Sequence, residues 1–180
     1  QQENSDHDRL KKILLEYNLE QDEVSESDQS VLIGNIYHQI FYILAQYQDF
    51  DNLDKKINKI IDSNQPIISN DQKIEIIDKT KEILKDKELK HILFTARALN
   101  EKEFAIKNND KVRMARIDRI LISGENIRII DYKLSNNQLL FEKYQKQLDF
   151  YQSILSQIYP EFSITKSLFF IKEMKLVDIN

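Results

Sequence analysis

The stretch "ARIDRILISGENIRIIDYKLS", residues Ala115 to Ser135, carries two apolar runs around a small polar centre. In "SGEN", Gly124 and Glu125 form the two central residues of a hairpin turn with glycine first, the order a type II′ turn requires. That turn sets the pairing: Ser123 faces Asn126, Ile122 faces Ile127, Ile120 faces Ile129, and Asp118 faces Asp131. Side chains along a strand alternate with period two. All of Ile120, Ile122, Ile127, Ile129, Asp118 and Asp131 are therefore expected on one face, joined there by Lys133.

Two carboxylates facing each other across a ladder cost about 0.2–1 kcal/mol, and more where water is excluded. Something must neutralise the pair. One carboxyl could keep a proton. Basic neighbours could bridge it, Arg116 or Arg119 for Asp118 and Lys133 for Asp131. A divalent cation could sit between the two. With oxygen ligands and no cysteine in the chain, such an ion would be hard, Mg²⁺ or Mn²⁺, and Lys133 would add a point charge beside it.

Outward from this hairpin, "EKEFAI", "KVRMARIDRILI" and "NIRIIDYK" predict a three-strand meander. A long helix follows from about Leu139 to Ile158, with Phe141, Tyr144, Leu148, Tyr151, Leu155 and Ile158 turned inward. "SITKSLFFI" and "KLVDI" close the chain as strands. Upstream, Ile36, Ile40, Ile43, Leu44 and Tyr47 recur at helical spacing over 33–48. A second helix is expected over 51–62, a break at "SNQP" with Pro66, and a third helix from an Asn70 N-cap to about Lys87, its Ile74, Ile77 and Leu84 inward. Helices, meander, helix and further strands define an α/β fold.

The 180 residues and 41% hydrophobic content suit one globular domain with a sizeable core. We assign residues 1–30 to an acidic polar leader and 31–180 to that domain. The leader holds nine acidic against three basic residues, so the net charge of −4 conceals a slightly basic remainder, and nucleic acid stays open as a partner. Zero cysteines exclude disulfides, thiolate zinc sites and cysteine-ligated iron–sulfur clusters. The absence of an 18-residue apolar run predicts no membrane span. No signal peptide is visible at the start, and a cytoplasmic location is the expectation. The missing initiator methionine points to a fragment of a longer protein.

These pieces together resemble the PD-(D/E)xK nuclease superfamily, and more narrowly the RecB-type nuclease domain at the C-terminus of AddA helicase–nucleases. "GNIYHQIF" resembles the family's G-x-x-x-H helix, "EKEF" its acidic entry to the first core strand, and "ARIDRI" its G-x-I-D-R stretch. "IIDYKLS" resembles D-[YF]-K-T and "QLDFY" the Q-x-x-x-Y helix, all five in order. Ala115 stands where glycine is usual and Leu134 where threonine is usual.

The resemblance implies a restriction-endonuclease-like core with extra N-terminal helices, and a Mg²⁺- or Mn²⁺-dependent DNA exonuclease working in double-strand-break repair. It also implies a helicase portion in the parent chain and an AddB-like partner subunit. By the same resemblance Asp118, Asp131, the carbonyl of Tyr132 and His38 hold metal, and Gly34 lets another backbone approach the His38 helix. Either Glu101 or Glu103 binds the metal through water, the family's E-x-x-F spacing to Phe104 favouring Glu101. Lys133 orients the attacking water or stabilises the charge building on the phosphate. Gln147 and Tyr151 contact the phosphate or lock the catalytic strand. Arg116 and Arg119, with Arg113, are candidates for phosphate contacts. The alternative is a non-catalytic DNA-binding or scaffolding module of the same fold.

Overall fold

The computed structural model describes residues 28–64, 68–95, 97–108 and 111–180. The leader up to residue 27 and the expected break at Pro66 lie outside them. Four helices come first: α1 (Asp28–Tyr47), α2 (Leu53–Asn64), α3 (Asn70–Lys85) and α4 (Lys87–Phe94). The strands β1 (Ala98–Asn108), β2 (Lys111–Ser123) and β3 (Asn126–Lys133) follow. A 3₁₀ turn at Gln138–Leu140 leads into α5 (Phe141–Ile158), then β4 (Ser163–Phe170) and β5 (Lys175–Ile179). The five strands form one sheet in chain order, antiparallel except for β3 and β4, which run parallel. A parallel neighbour needs a crossover, and α5 supplies it.

Each face of the sheet has its own core. On one face α1–α4 pack over Ile130, Tyr132, Leu134, Phe169 and Ile171. On the other, α5 packs over Ile117, Ile120, Ile127, Ile129, Leu168 and Phe170. The alternation along β3 and β4 is thus the one expected of strands buried on both sides. Gly124 has φ +57, and Glu125 is not among the residues with positive φ, the sign pattern of the type II′ turn. The expected register holds from Ser123–Asn126 through Ile120–Ile129 to Arg119–Ile130.

The helical layer departs from expectation at four places. α1 begins at Asp28, inside the expected leader of residues 1–30 and before the expected start at 33. The third helix stops at Lys85, because Asp86 takes extended backbone and its side chain accepts from the Glu88 and Leu89 N–H groups, starting α4 anew. Ser69, not Asn70, caps α3, in a capping box with Gln72. Tyr47, Ile74 and Ile158, expected inward, are exposed. Tyr47 and Ile158 are the last residues of α1 and α5, and Ile76, Ile77 and Ile83 supply the buried face of α3.

Candidate metal centre

The site forms where β1 and β2 stop alternating together. Phe104–Ala115 and Lys102–Ile117 are paired on one side of it, and Asn100–Arg119 and Leu99–Ile120 on the other. Glu101 and Asp118, between them, are absent from the ladder. Ile117 and Ile120 both pack in the core beneath α5, although residues three apart fall on opposite faces of a regular strand. Asp118 and Arg119 are thus both turned to the α1–α4 face. Glu101 and Asn100 on β1 are turned with them, toward His38 and Arg119, and Glu101 carries φ +48, a left-handed backbone that non-glycine residues rarely adopt.

This paired kink corrects the strictly alternating hairpin. Asp118 does not face Asp131 across the ladder, which ends one step earlier at Arg119–Ile130. It reaches instead toward β3's backbone and α1. Asp118 Oδ2 accepts the Tyr132 N–H at 2.7 Å, while the Tyr132 carbonyl oxygen lies 3.2 Å from His38 Nε2. His38 Nδ1 lies 3.3 Å from Asp118 Oδ1 and 3.5 Å from Glu101 Oε1. One ligand-type atom from each of His38, Glu101 and Asp118 comes within 4.8 Å of the others.

Asp131 lies on the other side of β3, 2% exposed, with Lys133 Nζ at 2.7 Å from its Oδ2. Lys133 also donates to Gln147 Oε1 at 3.0 Å and sits 4.6 Å above the Tyr144 ring. Gln147 in turn donates to the Tyr151 hydroxyl at 2.7 Å. Tyr144, Gln147 and Tyr151, spaced by three and four residues, share one face of α5, so the helix braces the lysine. Tyr144 had been legible only as part of an apolar stripe. Its signal is its place one turn before Gln147.

The remaining candidates separate clearly. Glu103 is exposed, whereas Glu101 is half-buried at the kink and pairs through Oε2 with Arg116 Nε at 3.0 Å. Arg116 keeps 60% of its side chain in solvent beside the site. Arg119 is fully buried and donates to the carbonyls of Ile92 and Thr95 and to Asn100 Oδ1; no phosphate contact is open to it. The side chain of Arg113 lies outside the described residues. A Cβ at Gly34 would meet nothing within 4 Å, so no backbone among the described residues makes the close approach expected there.

Burial and neighbouring charge displace the titration of three groups at the site. Burial alone would draw the His38 imidazolium down, but Asp118, Glu101 and Asp131 outweigh it and push its pKa up to about 10. Burial likewise raises Asp118, yet the His38 cation, the Tyr132 N–H and Lys133 carry it below the ordinary carboxylate value. Asp131 is raised to about 6 by burial, with Lys133 pulling it back and Asp118 pushing it further up. Without metal, a protonated histidine therefore supplies the positive charge that these carboxylates require.

A divalent cation fits these residues. Glu101 Oε1 and Asp131 Oδ2 are buried oxygens that face cationic groups, His38 Nδ1 at 3.5 Å and Lys133 Nζ at 2.7 Å, so this pocket is already built to meet positive charge. Carboxylate, carbonyl and imidazole donors suit Mn²⁺ and, with water completing the shell, Mg²⁺.

The family model of the PD-(D/E)XK nuclease superfamily matches residues 12–178. A crystal structure of SSO0001 aligns with 94% of this chain and 76% of its own, at 17% sequence identity and a TM-score of 0.33. No curated protein matches the chain.

Proposed function

The chain belongs to the PD-(D/E)XK nuclease superfamily, and we propose that it hydrolyses phosphodiester bonds of DNA with a divalent cation held at the paired kink. One observation carries this: ligand atoms of His38, Glu101 and Asp118 converge within 4.8 Å of one another. When bound, the cation supplies Lewis acidity toward the scissile phosphate. The chain's own groups do the rest. His38 and Asp118 hold the ion, with Glu101, Asp131 and the Tyr132 carbonyl as further oxygens, and His38 gives up its proton to do so. Lys133 offers a fixed ammonium to the attacking water and to the charge that develops on phosphorus-bound oxygen. Asp131, Gln147 and Tyr144 fix its direction, and Tyr151 anchors Gln147. Arg116, exposed at the rim, neutralises a backbone phosphate.

The finer reading is a RecB-type exonuclease domain of an AddA-like helicase–nuclease, processing DNA ends in recombination and double-strand-break repair. The five motifs in order support it. DNA, a helicase portion and an AddB-like subunit would be its partners, and the cytoplasm its setting. Among the described residues no helix is long and apolar enough to cross a membrane.

The test is cleavage of linear and circular DNA by the full chain with Mg²⁺ or Mn²⁺, with chelator, and with the Asp131→Ala and Lys133→Ala variants. The expected result is cation-dependent cutting, with each variant slower by about a hundredfold or more, and linear DNA preferred. Equal cutting by wild type and Asp131→Ala, or none by either, contradicts catalysis and favours a DNA-binding or scaffolding role. Cutting of circular DNA at the same rate contradicts only the dependence on ends.

A further inference from the structure

Among the described residues Arg119 is the largest fully buried side chain, and no carboxylate there forms an ion pair with it. Its Nε donates to the Ile92 carbonyl at 2.8 Å and its Nη2 to the Thr95 carbonyl at 2.8 Å, both at the C-terminal end of α4. That is the end of a helix where carbonyls lack partners and a cation is favoured. Its third bond, from Nη1, goes to the side chain of Asn100. Asn100 and Arg119 are ladder partners and immediate chain neighbours of Glu101 and Asp118. One guanidinium thus fastens both strands of the kink to α4, at the step next to the two acidic ligands.

The left-handed backbone of Glu101 gives this clamp a task. A non-glycine residue stays at positive φ only when its surroundings over-determine it. Asn100, held on one side of Glu101, is that constraint. The Asn100 side chain is half-buried, and the guanidinium serves its three acceptors from three separate nitrogens of a planar fork, a spread that lysine's single ammonium nitrogen lacks.

We infer that Arg119 is a positioning residue that, through Asn100, holds Glu101 in its left-handed conformation and so sets the affinity of the kink for a divalent cation. This rests on the metal reading of the site. It differs from a general stabilising role in acting through one ligand, and that difference can be measured.

The experiment is a double-mutant cycle on the full chain, with Mn²⁺ alone as probe and binding followed by loss of the free-ion electron paramagnetic resonance signal. Circular dichroism confirms folding. Arg119→Lys and, as a milder change that leaves both carbonyl bonds in place, Asn100→Ala are each combined with Glu101→Ala. In the Glu101 background each should weaken Mn²⁺ binding about tenfold, the low end for partners that orient a metal ligand. In the Glu101→Ala background neither should change binding by more than about twofold. Equal losses in both backgrounds, or no loss in either, overturn the inference while leaving the metal site standing. A wild type that takes up no Mn²⁺ overturns the metal reading itself, and the inference with it.

Discussion

His38 concentrates the chemistry of the site in one side chain. Its two ring nitrogens touch Asp118, Glu101 and the Tyr132 carbonyl, so a proton and a metal compete for the same place. The consequence for the metal-free protein has a definite sign. The imidazole's pKa rises from 6.5 to about 10 on folding, so its contribution to stability is complete below 6.5 and lost as pH climbs through about 10. Asp131, raised from 3.8 to about 6, opposes folding increasingly between those values and adds no slope above them. In chelator, the melting temperature should therefore fall between pH 6.5 and 9.5, and His38→Gln should flatten most of that fall. A wild-type profile that is level or rising over this range, or an unchanged slope in His38→Gln, would contradict the protonated histidine. Arg119 makes a different point at this scale. Its place in a series with Arg113 and Arg116 along the strand suggested a phosphate contact, but three acceptors 19 to 27 residues away in sequence claim it. No local pattern reveals such partners.

At the scale of elements, hydrophobic periodicity and turn chemistry were the legible part. β3 and β5 span the expected residues, and the "SGEN" turn sets the register through Arg119–Ile130. Alternation failed at Asp118, because the kink belongs to two strands jointly and follows from what α1 and α4 place against them. The restart at Asp86 also went unread, since one aspartate ends α3 and caps α4 while the apolar spacing runs on across it. That cap is open to test. Asp86→Ala leaves two N–H groups of α4 without their acceptor and should cost about 1 kcal/mol in urea unfolding with the m-value unchanged. No measurable loss would mean that packing of Leu89, Leu93 and Phe94 alone fixes α4. Because α4 carries the carbonyl that anchors Arg119 Nε, the same variant should weaken Mn²⁺ binding slightly.

Across the whole molecule, each layer contributes one part of the site. α1 brings His38, the kinked β1–β2 pair brings Glu101 and Asp118, β3 brings Tyr132, Asp131 and Lys133, and α5 braces the lysine. The two cores lie on opposite faces of the sheet, and the proposed ligands His38, Glu101 and Asp118 lie across β3 from Asp131 and Lys133, so a cation and an ammonium would flank one phosphate. The five short motifs named the residues that the structure brings together, apart from Tyr144, whereas their division between the two faces required the structure. The most direct test of the central claim is anomalous scattering from crystals soaked in Mn²⁺. The account predicts a peak bonded by His38 and Asp118, with Glu101 or Asp131 completing the ligands, and its loss in Asp118→Ala. Soaked crystals in which that position stays empty, or in which Mn²⁺ binds away from all four residues, would contradict it.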